Sequence, residues 1–103
     1  MKLKHGVSIA GCNKEILVAK DIADKLWLQH GRELVITAGT ETPKVHMENS
    51  RHAYGDALDM RIKYFDVEVR TMIAETLQAT LFTISDRYYV KLHKGSHIHV
   101  QWK

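Results

Sequence analysis

From Asn13 onward the apolar residues recur at helical spacing. Ile16, Leu17, Ala19, Ile22, Ala23, Leu26 and Trp27, with Lys20 among them, predict an amphipathic helix of about four turns. Asn13 is placed to cap it, and the run stops at His30-Gly31-Arg32. Glu33 to Thr37 then reads as a buried strand that ends at Gly39. A polar segment follows that contains the only proline, Pro43, and runs for about a dozen residues, a length more usual for functional loops than for plain connectors. From Asp56 to Ile62 the pattern switches to strict alternation. Ala57, Asp59 and Arg61 share one side, and Leu58, Met60 and Ile62 the other, as in a half-buried strand. Asp66 can cap a second helix whose apolar stripe is Val67, Val69, Met72, Ile73, Leu77 and Leu81. Thr83 to Trp102 completes the chain as strand segments, with turns near Ser85-Asp86-Arg87 and Lys94-Gly95-Ser96, the second a hairpin signal.

This order of elements predicts an α+β domain: a small, mostly antiparallel sheet with helices on one face, leaving the other face for chemistry. With 103 residues and 45% hydrophobic content, residues 1–103 are expected to form a single domain with one core. Fifteen Lys and Arg against twelve Asp and Glu leave a formal charge of +3, scattered and without aromatic interleaving, which argues against a nucleic-acid-binding surface. The lone Cys12 excludes an intramolecular disulfide and reads as a small apolar side chain ahead of the first helix. No apolar run reaches signal-peptide or membrane-span length, so the expectation is synthesis in the cytoplasm without a signal peptide and no membrane partner.

Candidate chemistry is concentrated in two segments. In the last strand, period-two geometry points His97, His99 and Gln101 to one side and Ile98, Val100 and Trp102 toward the helices. If the strand carrying Asp59 lies alongside with its apolar side on the same helices, Asp59 projects onto the histidine face. His52 sits at the end of the long loop, where Gly55 lets the chain turn back over the sheet. Imidazoles and one carboxylate suit zinc, and three protein ligands leave a tetrahedral position open, as in catalytic rather than structural sites.

The segment Ser50 to Arg61, SRHAYGDALDMR, resembles the Ser-x-His-x-x-Gly-x-Ala-x-Asp signature of the zinc peptidases of family M15, and His97 to Val100, HIHV, is similar to their closing His-x-His. That family includes D-alanyl-D-alanine carboxypeptidases and phage L-alanyl-D-glutamate endolysins. Lysostaphin-type endopeptidases and the signalling domain of hedgehog proteins belong to the broader group. The likeness spans about Glu33 to Trp102. It implies a hedgehog-like metallopeptidase fold, one Zn2+ per chain held by His52, Asp59 and His99, and a role for His97 in assisting the metal-activated water or the oxyanion. The implied activity is hydrolysis of peptidoglycan stem peptides or cross-links, of the endolysin or murein peptidase type, on the cell wall after release from the cytoplasm.

Two departures shape the expectation. Glu41 stands where these peptidases commonly carry a substrate-holding arginine, and a carboxylate cannot clamp another carboxylate, which favours an endopeptidase over a simple carboxypeptidase. Nothing acidic lies between Asp86 and His99, where many members place a glutamate base. His93 occupies the place of the hedgehog glutamate, and His46, six residues before His52, matches a hedgehog histidine. The expected catalytic residues are therefore His97 and His93, with Glu48 a further candidate base. His46 and Arg61 are the expected substrate contacts. The alternative is a hedgehog-like zinc-binding module that binds a partner or wall polymer without turnover.

Overall fold

The computed structural model describes residues 1–41 and 51–103. The elements run β1 (Lys2–Leu3), α1 (Lys14–Gln29), β2 (Val35–Ala38), a 3-10 turn (Arg51–Tyr54), β3 (Ala57–Arg61), α2 (Val67–Phe82), β4 (Tyr88–His93) and β5 (His97–Trp102). The five strands form one sheet in the order β1-β2-β3-β5-β4. This is an α+β architecture, and its sheet is mixed: the pattern predicts a mostly antiparallel one, and the parallel strand β1 departs from it. β1 pairs parallel to β2, while β2 with β3, β3 with β5 and β4 with β5 pair antiparallel. A two-residue strand is too short to show a period. Backbone bonds hold it, the Lys2 N–H donating to the Leu34 carbonyl at 2.8 Å and the Lys4 N–H to the Ile36 carbonyl at 2.9 Å.

Both helices cover the same face. One buried cluster joins Ile16, Ala19, Ala23 and Trp27 of α1 and Ile73, Leu77 and Leu81 of α2 to Leu58, Met60, Ile98 and Val100 of the sheet. The i, i+4 row from Val69 through Ile73 and Leu77 to Leu81 is the true stripe of α2. Val67 and Met72 fall off that row and are 66% and 46% exposed, so they do not belong to the predicted core. Asp66 occupies the cap position of α2 without a side-chain cap bond. Two polar tethers lock layers together: the Trp27 indole N–H donates to the Arg61 carbonyl at 2.9 Å, and the Tyr88 hydroxyl to the Glu15 carbonyl at 2.8 Å. Cys12 packs half-buried against the core, where burial, then the nearby Glu41 carboxylate, push its thiol pKa up. No described helix is long and apolar enough to cross a membrane.

Asn13 caps α1 as its sequence position predicts, its side-chain oxygen accepting from the Ile16 N–H at 2.8 Å. Its amide group also donates to the Asp56 carboxylate, and its backbone N–H to the Gly55 carbonyl at 3.0 Å. The cap therefore ties the first helix to the segment leading into β3. Asn13→Ala is expected to lower unfolding free energy by about 1–2 kcal/mol, read from the urea midpoint; an unchanged midpoint would show that neither bond matters.

Candidate metal centre

The register of β3 against β5 sets the site. Asp59 lies directly opposite His99, Arg61 opposite His97 and Ala57 opposite Gln101. Because successive residues alternate faces, burying Leu58, Met60, Ile98 and Val100 beneath the helices forces Asp59, His97 and His99 onto the opposite, open face. β4 adds His93 in register with His97.

His52 reaches this face from the 3-10 turn. Gly55 follows it with a φ of +77°, and a Cβ there would sit 2.2 Å from the Gly11 carbonyl oxygen, so only glycine allows both the turn and the close approach. The Arg51 guanidinium pairs with Asp56 at 2.9 Å and donates to the Trp102 carbonyl at 3.2 Å. Together with Asn13, these bonds pin the turn between the start of α1 and the end of β5. His52 is thereby held only 5% exposed over the sheet.

The Asp59 carboxylate is the hub. Its Oδ1 lies 3.2 Å from His52 Nε2 and 2.9 Å from His99 Nδ1, and its Oδ2 lies 3.4 Å from His97 Nε2. Ligand atoms of His52, Asp59 and His99 all fall within 4.8 Å of one another, so this group could hold a metal ion. An ion bound tetrahedrally at about 2.0–2.1 Å spaces its ligand atoms roughly 3.3 Å apart, close to the 3.2 Å and 2.9 Å between Asp59 Oδ1 and the two ring nitrogens. The donor chemistry agrees, because His99 Nε2 donates to the Gln101 side-chain oxygen at 3.1 Å. That bond places the proton on Nε2 and leaves Nδ1 for coordination, the usual outer support of a ligating histidine.

Electrostatics follow from the same contacts. Burial alone would raise the Asp59 carboxyl, but hydrogen bonds from His52 and His99 and the charges of His52 and His97 hold it well below the carboxylate range. Burial likewise opposes charge on His99, yet its bonds to Asp59 and Gln101 carry its pKa above the ordinary 6.5. His97 moves the other way: burial lowers it, and the neighbouring imidazoles outweigh, with that burial, the pull of Asp59.

Of the remaining predicted residues, Arg61 lines the cleft beside Asp59 and His97. His93 stays exposed, stacks on His97 with ring centroids 4.5 Å apart and meets His99 edge-on with centroids 6.4 Å apart. His46 and Glu48 lie outside the described residues. Glu41 proves to be an anchor for backbone, its carboxylate accepting from the Ser8 N–H at 3.1 Å and the Gly39 N–H at 2.9 Å. The supporting role of Gln101 was not assigned from sequence, although its place two residues beyond His99 on the same face was a usable signal. The Asn13-Asp56-Arg51 tether had no such signal, since it joins segments far apart in the chain.

No protein-family model matches the chain, and no curated protein sequence matches it.

The pKa directions set the pH response. The raised His99 value contributes stability to the metal-free chain that is complete below about 6.5 and lost as pH rises through the folded value. The lowered His97 value contributes stability complete above about 6.5, so it adds no slope there. Asp59 contributes stability above about 4 that is lost only as pH falls toward its lowered value. The metal-free melting temperature should therefore decline above pH 6.5, whereas the increase caused by added zinc should grow over the same interval, because binding displaces the His99 proton. Parallel melts with chelator and with one equivalent of zinc check this; a zinc-induced shift that shrinks as pH rises contradicts it.

Proposed function

We propose that the protein is a zinc-dependent peptidase of the M15 type that hydrolyses peptidoglycan stem peptides or cross-links, acting on the wall after release from the cell. The observation that carries this reading is the convergence of His52, Asp59 and His99 on one point of the open sheet face, with His97 against the other oxygen of the same carboxylate. Two imidazoles and a carboxylate are a zinc donor set, and three ligands on an open face leave room for a substrate carbonyl. When bound, zinc would supply Lewis-acid polarisation of the scissile carbonyl and activation of water.

The chain's own residues supply positioning and proton transfer. His97 is the strongest candidate base: its depressed pKa keeps it neutral at pH 7, able to accept a proton at Nε2. Its Nδ1 lies 2.7 Å from the Ser96 hydroxyl, and His93 stacks on its face, so the ring is oriented from two sides. After accepting the proton, His97 would be stabilised by Asp59 and could return the proton to the leaving amine. His93, at the exposed edge, is suited to relaying that proton to solvent. Glu41, with its carboxylate committed to Ser8 and Gly39, takes no part in this scheme.

One observation favours the second reading, a hedgehog-like zinc module that binds wall polymer or a partner without turnover: no carboxylate lies between Asp86 and His99 to act as base. The two readings separate in a single experiment. Zinc per chain is measured, then muropeptides released from purified peptidoglycan are identified by mass spectrometry with and without chelator. Peptidase action predicts about one zinc per chain and chelator-sensitive release; bound zinc without release selects the binding module.

Variants refine the assignment. Asp59→Ala should lose zinc and release together, since it removes the hub of the site. His97→Ala should keep zinc but lower turnover by about 10²- to 10⁴-fold, the usual contribution of a positioned acid or base. Full turnover in His97→Ala would reject its role as base.

A further inference from the structure

The open face of the sheet carries a second feature next to the metal ligands. A cleft of about 420 Å3 runs from Asp59 and His97 along β3 and is lined by Lys4, Arg61, Lys63 and Ser96. Its charge is lopsided: three cations against the single carboxylate of Asp59. Among the described residues, none of Lys4, Arg61 and Lys63 is in an ion pair with a carboxylate. Two separate pieces of backbone deliver them. Lys4 follows β1 and is fixed by its N–H bond to the Ile36 carbonyl at 2.9 Å, Arg61 ends β3 opposite His97, and Lys63 lies just beyond. Arg61 is two residues along the strand from Asp59, which places it about 7 Å from the metal ligand on the same face.

Like charges gathered in one concavity repel one another unless a counter-charge enters, and a planar guanidinium beside two ammonium groups matches an oxyanion. We infer that this cleft is an anion subsite that seats a substrate carboxylate about one strand repeat from the metal ligands, so that the preferred substrate is an acidic peptide. The inference rests on the peptidase reading for the word substrate. It also gives the chain, through Lys4, Arg61 and Lys63, a carboxylate contact that Glu41 cannot make.

The carboxylate could be a peptide C-terminus or an acidic side chain, and two matched pairs of probes distinguish them. Acetyl-alanyl-alanine is compared with its C-terminal amide, and acetyl-alanyl-glutamic acid α-amide with the corresponding glutamine peptide. Each is titrated into the isotope-labelled full chain, metal-free and with one equivalent of zinc, and followed by two-dimensional NMR. The acid should bind about tenfold more tightly than its amide in at least one pair. That advantage should weaken between about 50 mM and 500 mM salt, because the cleft is open to solvent. It should fall to parity in Arg61→Gln and in the double variant Lys4→Gln/Lys63→Gln, whose two exposed lysines can be replaced without disturbing the core. Equal binding of acid and amide in both pairs overturns the subsite. So does an advantage that survives in both variants, since a carboxylate that merely ligated zinc would keep it. Acid preference in a chain that releases no muropeptides would sink the peptidase reading and leave the subsite standing; muropeptide release without acid preference would do the reverse.

Discussion

One carboxylate shared among three imidazoles is the contact on which the candidate site depends. Asp59 lies directly across from His99 in the β3-β5 ladder, and its two oxygens approach His52, His99 and His97. A buried carboxylate without partners would be costly, and the surrounding ring nitrogens offset that cost in the metal-free chain. Two of these rings, His52 and His99, form with Asp59 the group that could hold a metal ion. Coordination of an ion by this group would thus use the side chains that compensate the Asp59 charge without one, and would displace protons from the ring nitrogens.

The strands could hold only half of this arrangement. His52 comes from outside the sheet, and its position depends on contacts that are individually ordinary: a helix cap, an aspartate that receives both Asn13 and Arg51, and a glycine against the Gly11 carbonyl. Because these contacts join the start of α1 to the end of β5, the global packing of the domain and the local geometry of the site are mechanically linked.

The departures from the peptidase pattern have a physical sense on this frame. Glu41, placed where a clamping arginine is usual, holds the segment around Ser8 against the turn after β2. Cations appear instead at the end of β3 and after β1, beside Asp59 and His97 on the open face. Where that pattern has a glutamate, the open face carries His97, whose burial disfavours its charged form and on which His93 stacks. The open face thereby brings imidazoles and cationic side chains together with the three residues that could hold a metal ion.

Much of this was legible in the chain because local periodicity has few solutions. The alternation in Ala57 to Ile62 and in His97 to Trp102 determined which side chains share a face, and the spacing of Ile16 to Trp27 determined a helix capped by Asn13. Hydrophobic burial on one side of each strand then required Asp59, His97 and His99 to lie on the other. What only the tertiary structure decided was contact between segments without a period of their own. The two-residue β1 is defined by pairing with β2, Met72 and Val67 leave the core because α2 docks along the Val69-Leu81 row, and Lys4 reaches the cleft only because β1 joins the sheet. A repeating pattern encodes the face a residue presents; which distant residue it meets there is set by how the layers pack.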